Sequence, residues 1–405
     1  MTTDLGQYFL ATYYVETEQD LAAVANLIAS TETTGEWSGP GASTPLFSEC
    51  QGRVAAIRET EPGKGEIDIL FPLINLNLEQ GAFPGLWLTM VGGGTHALLA
   101  YKKSRLLDFQ LPPQVLQHFP GPAFGPEGLR ALMGAAPGEL LIGTIIKPTA
   151  GLTADEVAEI CYQTALGGVR FIKDDEKMLN SAYCPLAERV RKVSDRLKQA
   201  EDQTGQRVIY AAHITATPEY LLRNAEIALE NGATALMVNF FAAGFNSLQT
   251  LRTQVAPSVP IYAHCGGKEA FSRVAGQGID PVAVARFVRV LGGDIFRVST
   301  LGGYLVGSDR ADVEALAAVM SEPMGDIRPL MPAVSGGLNP ATLGPNLAVF
   351  GADALMLAGT GITRHPLGAQ AGTAALRQAA EAFSLNIPIE QYAASHKELQ
   401  MALPE

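Results

Sequence analysis

From about residue 137 onward, short apolar runs alternate with longer segments whose apolar residues recur at helical spacing. The short runs predict eight strands, at residues 140–146, 169–173, 208–213, 235–240, 261–264, 295–299, 330–334 and 354–358. The segments between and after them predict helices at residues 154–166, 185–204, 218–230, 247–255, 281–291, 310–320, 341–350 and 369–383. Eight strand–helix units over about 250 residues are typical of a (β/α)8 TIM barrel. A doubly wound open sheet is the alternative, but no glycine fingerprint follows the first strand.

The first 125 residues mix strand and helix patterns instead of alternating them. They predict strands at residues 8–16, 53–59 and 66–72, a strand pair across residues 98–111, and helices at residues 20–30 and 83–90. We therefore expect an N-terminal α+β domain of the ferredoxin-like kind, covering residues 1–125. The catalytic barrel is expected at residues 137–386, after a proline-rich junction at residues 112–126, and a helical tail at residues 387–405.

Composition narrows the class of protein. Hydrophobic residues make up 47% of the chain and charged residues 17%, which is typical of a compact enzyme. The net charge of -12 disfavours nucleic acid and anionic membranes as partners, and no apolar run is long enough to predict a membrane span. There is no secretory signal pattern, and the four widely spaced cysteines fit reduced thiols, so we expect a cytoplasmic protein.

The most informative stretch is residues 167–176, where an apolar strand runs directly into Lys173, Asp174, Asp175 and Glu176. In a parallel barrel the C-terminal ends of the strands face the active site. Carboxylates at that position suit a hard cation such as Mg²⁺. An isolated acidic cluster is more often a solvated surface turn. Here, however, other predicted strands also end in polar residues, which are Lys147, Asn239, His264, Arg297, Ser299 and Thr300.

Glycine-rich turns follow the last two predicted strands, at Ser335-Gly336-Gly337 and at Gly359-Thr360-Gly361. Barrel enzymes often bind phosphate at these two turns through backbone N–H groups, because glycine lets the backbone approach the anion closely. An ordinary tight turn is the alternative for either one alone. Together the two turns predict a phosphate-binding site.

These segments resemble the large subunit of RuBisCO in order and spacing along almost the whole chain, and the matching residues are 34–37, 143–148, 167–176, 335–337, 359–361 and 365–368. The resemblance implies that Lys173 reacts with CO₂ to form a carbamate, which binds Mg²⁺ together with Asp175 and Glu176. It implies that Lys147 transfers a proton near the substrate carbon. It further implies a homodimer whose N-terminal domain caps the neighbouring subunit's site.

Further residues are assigned roles by the same resemblance. His264 is a candidate catalytic residue, and the candidate substrate- and phosphate-binding residues are Trp37, Arg297, Ser335, Gly336, Gly337, Gly359 and Thr360. Trp37 is expected to act across the subunit interface.

Departures from the family pattern bear on the reaction. The loop after the sixth strand has Tyr304 where carboxylases have a lysine that holds the added CO₂, and Thr149 replaces a second lysine. Cys265 stands where a phosphate-binding arginine is expected, while Arg297 stands where a histidine is usual. These changes disfavour CO₂ fixation. The chain is identified as a RuBisCO-like protein of the form IV branch.

The resemblance implies Mg²⁺-dependent enolisation of a phosphorylated keto-sugar or keto-sugar acid. Three outcomes stay open for such an enzyme, namely isomerisation, decarboxylation and hydrolysis of a 3-oxo sugar-acid phosphate. A methionine-salvage diketo-methylthiopentyl-phosphate enolase is an alternative, although Gly93 stands where that enzyme uses a lysine. A barrel that binds a sugar phosphate without turning it over is the alternative from a different class.

Overall fold

The structure is a computed structural model, and it describes residues 5–403. The strands within this range are β1 (Tyr8–Glu16), β2 (Arg53–Glu61), β3 (Lys64–Pro72), β4 (Lys103–Gln110), β5 (Leu141–Ile145), β6 (Phe171–Lys173), β7 (Ile209–His213), β8 (Ala235–Asn239), β9 (Ile261–His264), β10 (Gly278–Ile279), β11 (Ile295–Ser299), β12 (Met331–Ser335) and β13 (Leu355–Ala358).

The α-helices of the described range are α1 (Leu21–Thr31), α2 (Pro45–Glu49), α3 (Ala82–Val91), α4 (Gly94–Ala97), α5 (Pro113–Leu116), α6 (Gly125–Leu132), α7 (Ala154–Leu166), α8 (Leu186–Thr204), α9 (Pro218–Glu230), α10 (Phe240–Ala243), α11 (Asn246–Gln254), α12 (Glu269–Ser272), α13 (Pro281–Val290), α14 (Arg310–Ser321), α15 (Pro340–Phe350), α16 (Thr360–Thr363), α17 (Ala369–Ser384), α18 (Ile389–Ala393) and α19 (Lys397–Ala402). A short 3₁₀ helix spans Leu73–Asn75. No helix among residues 5–403 is long and apolar enough to cross a membrane.

Eight parallel strands close into a barrel in the order β11-β12-β13-β5-β6-β7-β8-β9, which confirms the predicted (β/α)8 fold. The strands read as continuous apolar runs because both of their faces are covered, one by the barrel interior and one by helices. Side chains such as Leu141, Phe171, Met237 and Leu355 fill the interior as one buried cluster. The C-terminal strand ends, where the polar residues were predicted, therefore meet at one rim.

The N-terminal sheet has the order β10-β4-β1-β3-β2, in which β1 pairs antiparallel with β3 and β4, and β2 pairs antiparallel with β3. The order β4-β1-β3-β2 confirms the ferredoxin-like arrangement, and β10 adds a parallel edge strand beside β4. The predicted strand pair across residues 98–111 is wrong. That region holds only β4, because residues 98–102 form a turn between α4 and β4.

The chain divides into two compact units. One contains the residues up to Pro120 together with Gly267–Val290 and Met324–Ile327, and the other contains the barrel strands. Helix α13 belongs to the first unit although it lies between two barrel strands in sequence. Its Phe287 ring packs on Phe83, Trp87 and Phe109, at centroid distances of 5.4, 5.6 and 4.4 Å.

The C-terminal segment forms two short helices, α18 and α19, rather than one continuous helix. The break falls at His396, whose backbone is extended with φ −127° and ψ 94°. The two helices pack against α17 in the barrel unit.

Candidate active site

Strand β6 delivers the lysine and the acids to the rim of the barrel. Lys173 is its last residue, and Lys173, Asp174 and Asp175 are all buried, whereas the Glu176 side chain is partly exposed. Side chains alternate in direction along an extended chain. Lys173 and Asp175 therefore lie on the same side, while Asp174 turns away from them and is bonded to Tyr210 and Arg189.

The Lys173 amine has an unusual environment for a lysine. Its Nζ donates to the backbone oxygen of Asp174 at 2.8 Å and to Met237 Sδ at 3.4 Å, and it lies 5.4 Å from the centre of the Tyr262 ring. Among residues 5–403, no carboxylate lies within ion-pair distance of this nitrogen. Burial lowers the pKa of Lys173 to about 8, although Glu176 and Asp175 act in the opposite direction. A substantial share of the amine is therefore neutral near physiological pH, and only a neutral amine can attack CO₂.

Lys147 faces the same rim from the loop after β5. Its Nζ lies 2.5 Å from Asp175 Oδ2 and donates to Thr149 Oγ1 at 3.2 Å. A Cβ at Gly359 would lie 3.4 Å from Lys147 Cε, so the turn after β13 lies against this side chain. The structure thus brings together Lys147, Asp175 and the turn after the last barrel strand.

His264 ends β9 and is buried, with its Nε2 atom 3.8 Å from Glu176 Oε2. Its Nδ1 accepts a hydrogen bond from the Gly266 backbone N–H at 3.1 Å, so the ring proton is on Nε2. Burial, reinforced by the Lys173 charge, holds the pKa of His264 well below its usual range. This histidine is therefore neutral, and its Nε2–H group lies 3.8 Å from Glu176 Oε2, which is longer than a hydrogen bond.

The turn after β12 requires glycine, because Gly336 and Gly337 have φ values of 96° and 98° in the left-handed region. A Cβ at Gly336 would also collide with Leu305, and one at Gly337 would lie 3.0 Å from Tyr304 Cδ1. The loop after β11 consequently packs against this glycine turn. Tyr304 of this loop is 80% exposed.

Arg297, on β11, connects the ends of two neighbouring strands. Its Nη1 lies 3.8 Å from the Sγ of Cys265, the residue that follows β9. A Cβ at Gly336 would lie 3.5 Å from its Nη2, which places the guanidinium beside the glycine turn after β12. The family resemblance leads one to expect an arginine at position 265. Arg297 brings a guanidinium to the same region from β11.

The remaining candidate residues are distributed over both units. Ser335 is buried at the end of β12, and Gly359 and Thr360 begin helix α16 after β13. Trp37 lies in the N-terminal unit, where it is 56% exposed and its Nε1 donates to the Pro40 oxygen at 3.1 Å.

The sequence pattern missed Tyr262, whose ring lies 5.4 Å from Lys173 Nζ. Its one available signal was its position two residues before His264, on the same side of β9.

The rim carries some of the oxygen ligands that a hard cation needs. Within the described residues, no three His, Cys, Asp or Glu side chains form a group that could hold a metal ion. Asp175 and Glu176 supply two carboxylates beside a buried lysine whose Nζ has no carboxylate within ion-pair distance among residues 5–403. A carbamate on Lys173 would add the third oxygen ligand, so these residues fit a hard cation such as Mg²⁺.

Comparisons with known proteins agree on one family. The family model for the ribulose bisphosphate carboxylase large chain, catalytic domain, matches residues 127–405. The chain is 34% identical to a 3-oxo-isoapionate-4-phosphate decarboxylase from Rhizobium rhizogenes, over 97% of each chain.

Two solved structures are similar over 98% of this chain. One is an octameric ribulose-1,5-bisphosphate carboxylase/oxygenase from Pyrococcus horikoshii, with a TM-score of 0.91, 30% identity and 92% of that chain covered. The other is a rubisco-like protein from Alicyclobacillus acidocaldarius, with a TM-score of 0.87, 33% identity and 98% of that chain covered.

Proposed function

The chain belongs to the RuBisCO large-chain family, in its RuBisCO-like branch, and from this premise we propose that it decarboxylates a phosphorylated 3-oxo sugar acid. The observation that carries this proposal is the buried Lys173, whose lowered pKa and position beside Asp175 and Glu176 suit carbamate formation. The identity to a decarboxylase of a 3-oxo sugar-acid phosphate favours this reaction over isomerisation or hydrolysis.

The residues of the rim argue against CO₂ addition. A carboxylase must stabilise the new carboxylate with a cation, but Tyr304 and Thr149 offer only neutral hydroxyl groups. Loss of CO₂ makes a smaller demand, because the departing molecule is neutral.

The proposed reaction breaks the bond between the substrate's carboxylate carbon and the neighbouring carbon. The electron pair of that bond stays on the neighbouring carbon and is shared with the 3-oxo group as an enolate, while CO₂ leaves. The Lys147 ammonium, which Asp175 holds at 2.5 Å, then donates a proton to that carbon. The product is a ketone that is one carbon shorter than the substrate.

Lys173 as its carbamate, Asp175 and Glu176 would hold Mg²⁺, which when bound supplies a Lewis acid for the negative charge on the substrate's carbonyl oxygen. His264, whose Nε2–H group lies 3.8 Å from Glu176 Oε2, would serve as a polar contact for the substrate. For the phosphate we propose the backbone N–H groups around Gly336, Gly337, Gly359 and Thr360, with Ser335, Arg297 and Trp37 as further contacts.

The direct test is incubation of the protein with 3-oxo-isoapionate 4-phosphate, Mg²⁺ and bicarbonate in deuterated water. We expect catalytic CO₂ release and one deuterium in each product molecule, because the enolate carbon takes its proton from an exchangeable lysine. Ribulose 1,5-bisphosphate should give no carboxylation. Tight binding of the sugar-acid phosphate without CO₂ release or solvent exchange would instead identify a non-catalytic binding barrel.

We also infer that the working form is at least a homodimer. The family resemblance implies that the N-terminal unit covers the neighbouring subunit's barrel, a similar solved structure is octameric, and Trp37 is exposed in the single chain. Analytical ultracentrifugation at assay concentration is expected to give at least twice the mass of one chain. A fully active monomer would contradict this assembly.

A further inference from the structure

The middle acid of the motif, Asp174, is enclosed on all sides. Its Oδ1 accepts from the Tyr210 hydroxyl at 2.8 Å, and its Oδ2 accepts from the His213 backbone N–H at 2.9 Å. Arg189 of helix α8 donates to the same carboxylate from Nε and lies within 3.2 Å of it through Nη2. Both charged side chains of this pair are completely buried.

Arg189 also holds the loop that connects β6 to α8. Its Nη1 donates to the backbone oxygens of Leu179 and Cys184 at 3.3 and 3.0 Å, and its Nη2 donates to that of Met178 at 3.3 Å. The loop is therefore tied to the same guanidinium that fixes Asp174. The bonds of Asp174 and Arg189 therefore connect β6, β7, α8 and the loop that carries Glu176.

We infer that Asp174, Arg189 and Tyr210 form a positioning cage for the residues that act at the rim. Asp174 lies between Lys173 and Asp175 in the chain, so locking its side chain on one side of the backbone directs both neighbours to the other side. The Asp174 backbone oxygen also accepts the Lys173 Nζ hydrogen bond at 2.8 Å. None of the three cage residues faces the site, and they act through Lys173, Asp175 and Glu176. The inference rests on the proposed function, because it concerns how Lys173, Asp175 and Glu176 are positioned to bind the metal.

A purely stabilising ion pair would have the same burial but no effect on the rim, and the barrel contains one for comparison. Asp294 precedes β11 at the opposite end of the strands, where it pairs with Arg252. Its carboxylate accepts from the backbone N–H groups of Ala123 and Ile261 at 2.7 and 2.8 Å. Asp294 and Asp174 are both fully buried, so Asp294→Asn is a matched control for Asp174→Asn.

The experiment measures Mg²⁺ affinity by calorimetry and carbamate formation by ¹³C NMR in ¹³C-bicarbonate. Residues that orient metal ligands typically change metal affinity by about 10- to 100-fold, and this is the weakening expected for Asp174→Asn. Asp294→Asn should leave the Mg²⁺ Kd within about twofold although it also lowers the Tm, because it leaves the ligands in place.

A milder variant covers the case in which Asp174→Asn fails to fold. Tyr210→Phe removes one hydrogen bond from the cage and should weaken Mg²⁺ binding by about three- to tenfold. Its control is Tyr13→Phe, which removes a buried hydroxyl that donates to Met90 O at 2.9 Å in the N-terminal unit. This control should leave the Mg²⁺ Kd unchanged.

The outcomes separate the two levels of the inference. Wild-type Mg²⁺ affinity and a wild-type carbamate signal in Tyr210→Phe, and in Asp174→Asn if it folds, would overturn the positioning role and leave the proposed function intact. A wild-type protein that binds no Mg²⁺ and forms no carbamate would overturn both.

Discussion

Lys173→Met is expected to lose the carbamate signal, CO₂-dependent Mg²⁺ binding and about three to four orders of magnitude in turnover. The size follows from the loss of about 4–5 kcal/mol of charge stabilisation at the substrate oxygen, at 1.4 kcal/mol for each factor of ten. Methionine matches the length and burial of the lysine side chain, so the fold should survive. The measurement is kcat for CO₂ release, with the ¹³C carbamate resonance as a readout that does not depend on turnover.

The pH dependence of carbamate formation in the wild-type protein tests separately whether burial lowers the pKa of Lys173. With a pKa of about 8, roughly one Lys173 amine in ten is neutral at pH 7, against about one in three thousand for an ordinary lysine. At fixed dissolved CO₂, the rate of carbamate formation should therefore rise about tenfold per unit below pH 8 and flatten above it. A rate that keeps rising to pH 10 would show that burial does not prepare this amine.

Lys173→Arg distinguishes loss of the carbamate from loss of the positive charge, and Lys192→Met is a surface control. Lys173→Arg keeps the positive charge but cannot form a carbamate, so it should be as inactive as Lys173→Met. Lys192→Met removes a lysine of helix α8 that pairs with Asp155 and Glu188 at the surface, and it should leave turnover within about twofold. Activity retained in Lys173→Arg would contradict the assigned chemistry.

The fold was largely predictable because each barrel element carries a local signal. Helix α7 matches its predicted bounds residue for residue, since Thr153 and Glu156 form a capping box at one end and glycines follow the other. Residues 98–111 failed for the opposite reason. Their apolar character is that of a strand, but three glycines leave the backbone preceding β4 free to turn, and tertiary contacts decide where it does so.

The sequence predicted the site only to the extent that a residue's position along a strand determines which way its side chain points. Polar residues at the ends of apolar runs predicted that Lys147, Lys173 and His264 would come to one rim, and they do. Composition could not tell which acid turns away, because Asp174 and Asp175 are chemically identical and differ only in their neighbours across the barrel. The proximity of Arg297 to Cys265 likewise depends on the pairing of β9 with β11.

The two lysines at the rim have different surroundings. Lys173 has no carboxylate at ion-pair distance in the described range and is buried, which favours a neutral amine that can react with CO₂. Lys147 is instead paired with Asp175 and partly exposed, a position that suits the proton-donating role proposed for it. Asp175 would therefore have two tasks, because it is a proposed metal ligand and it also pairs with the proposed proton donor.

Lys147→Met is accordingly expected to lower turnover by about 10²- to 10⁴-fold, the usual contribution of a general acid. The carbamate signal should persist, because Lys173 and its burial are untouched, and this outcome distinguishes the variant from Lys173→Met. Proton delivery to the enolate should also lose its stereochemical control, since bulk water replaces a fixed donor. The readouts are kcat for CO₂ release and the stereochemistry of deuterium in the product.

Thr149→Ala supplies the graded comparison for this prediction, because it removes only the 3.2 Å hydrogen bond from Lys147 Nζ. A hydrogen bond from a charged group at a partly exposed site is worth about 1.5 kcal/mol, so turnover should fall by only about tenfold, with deuterium still placed on one face. Stereospecific deuteration in Lys147→Met at the wild-type rate would assign the proton donor to another group. The ion pair between Lys147 and Asp175 would then serve only to orient a ligand.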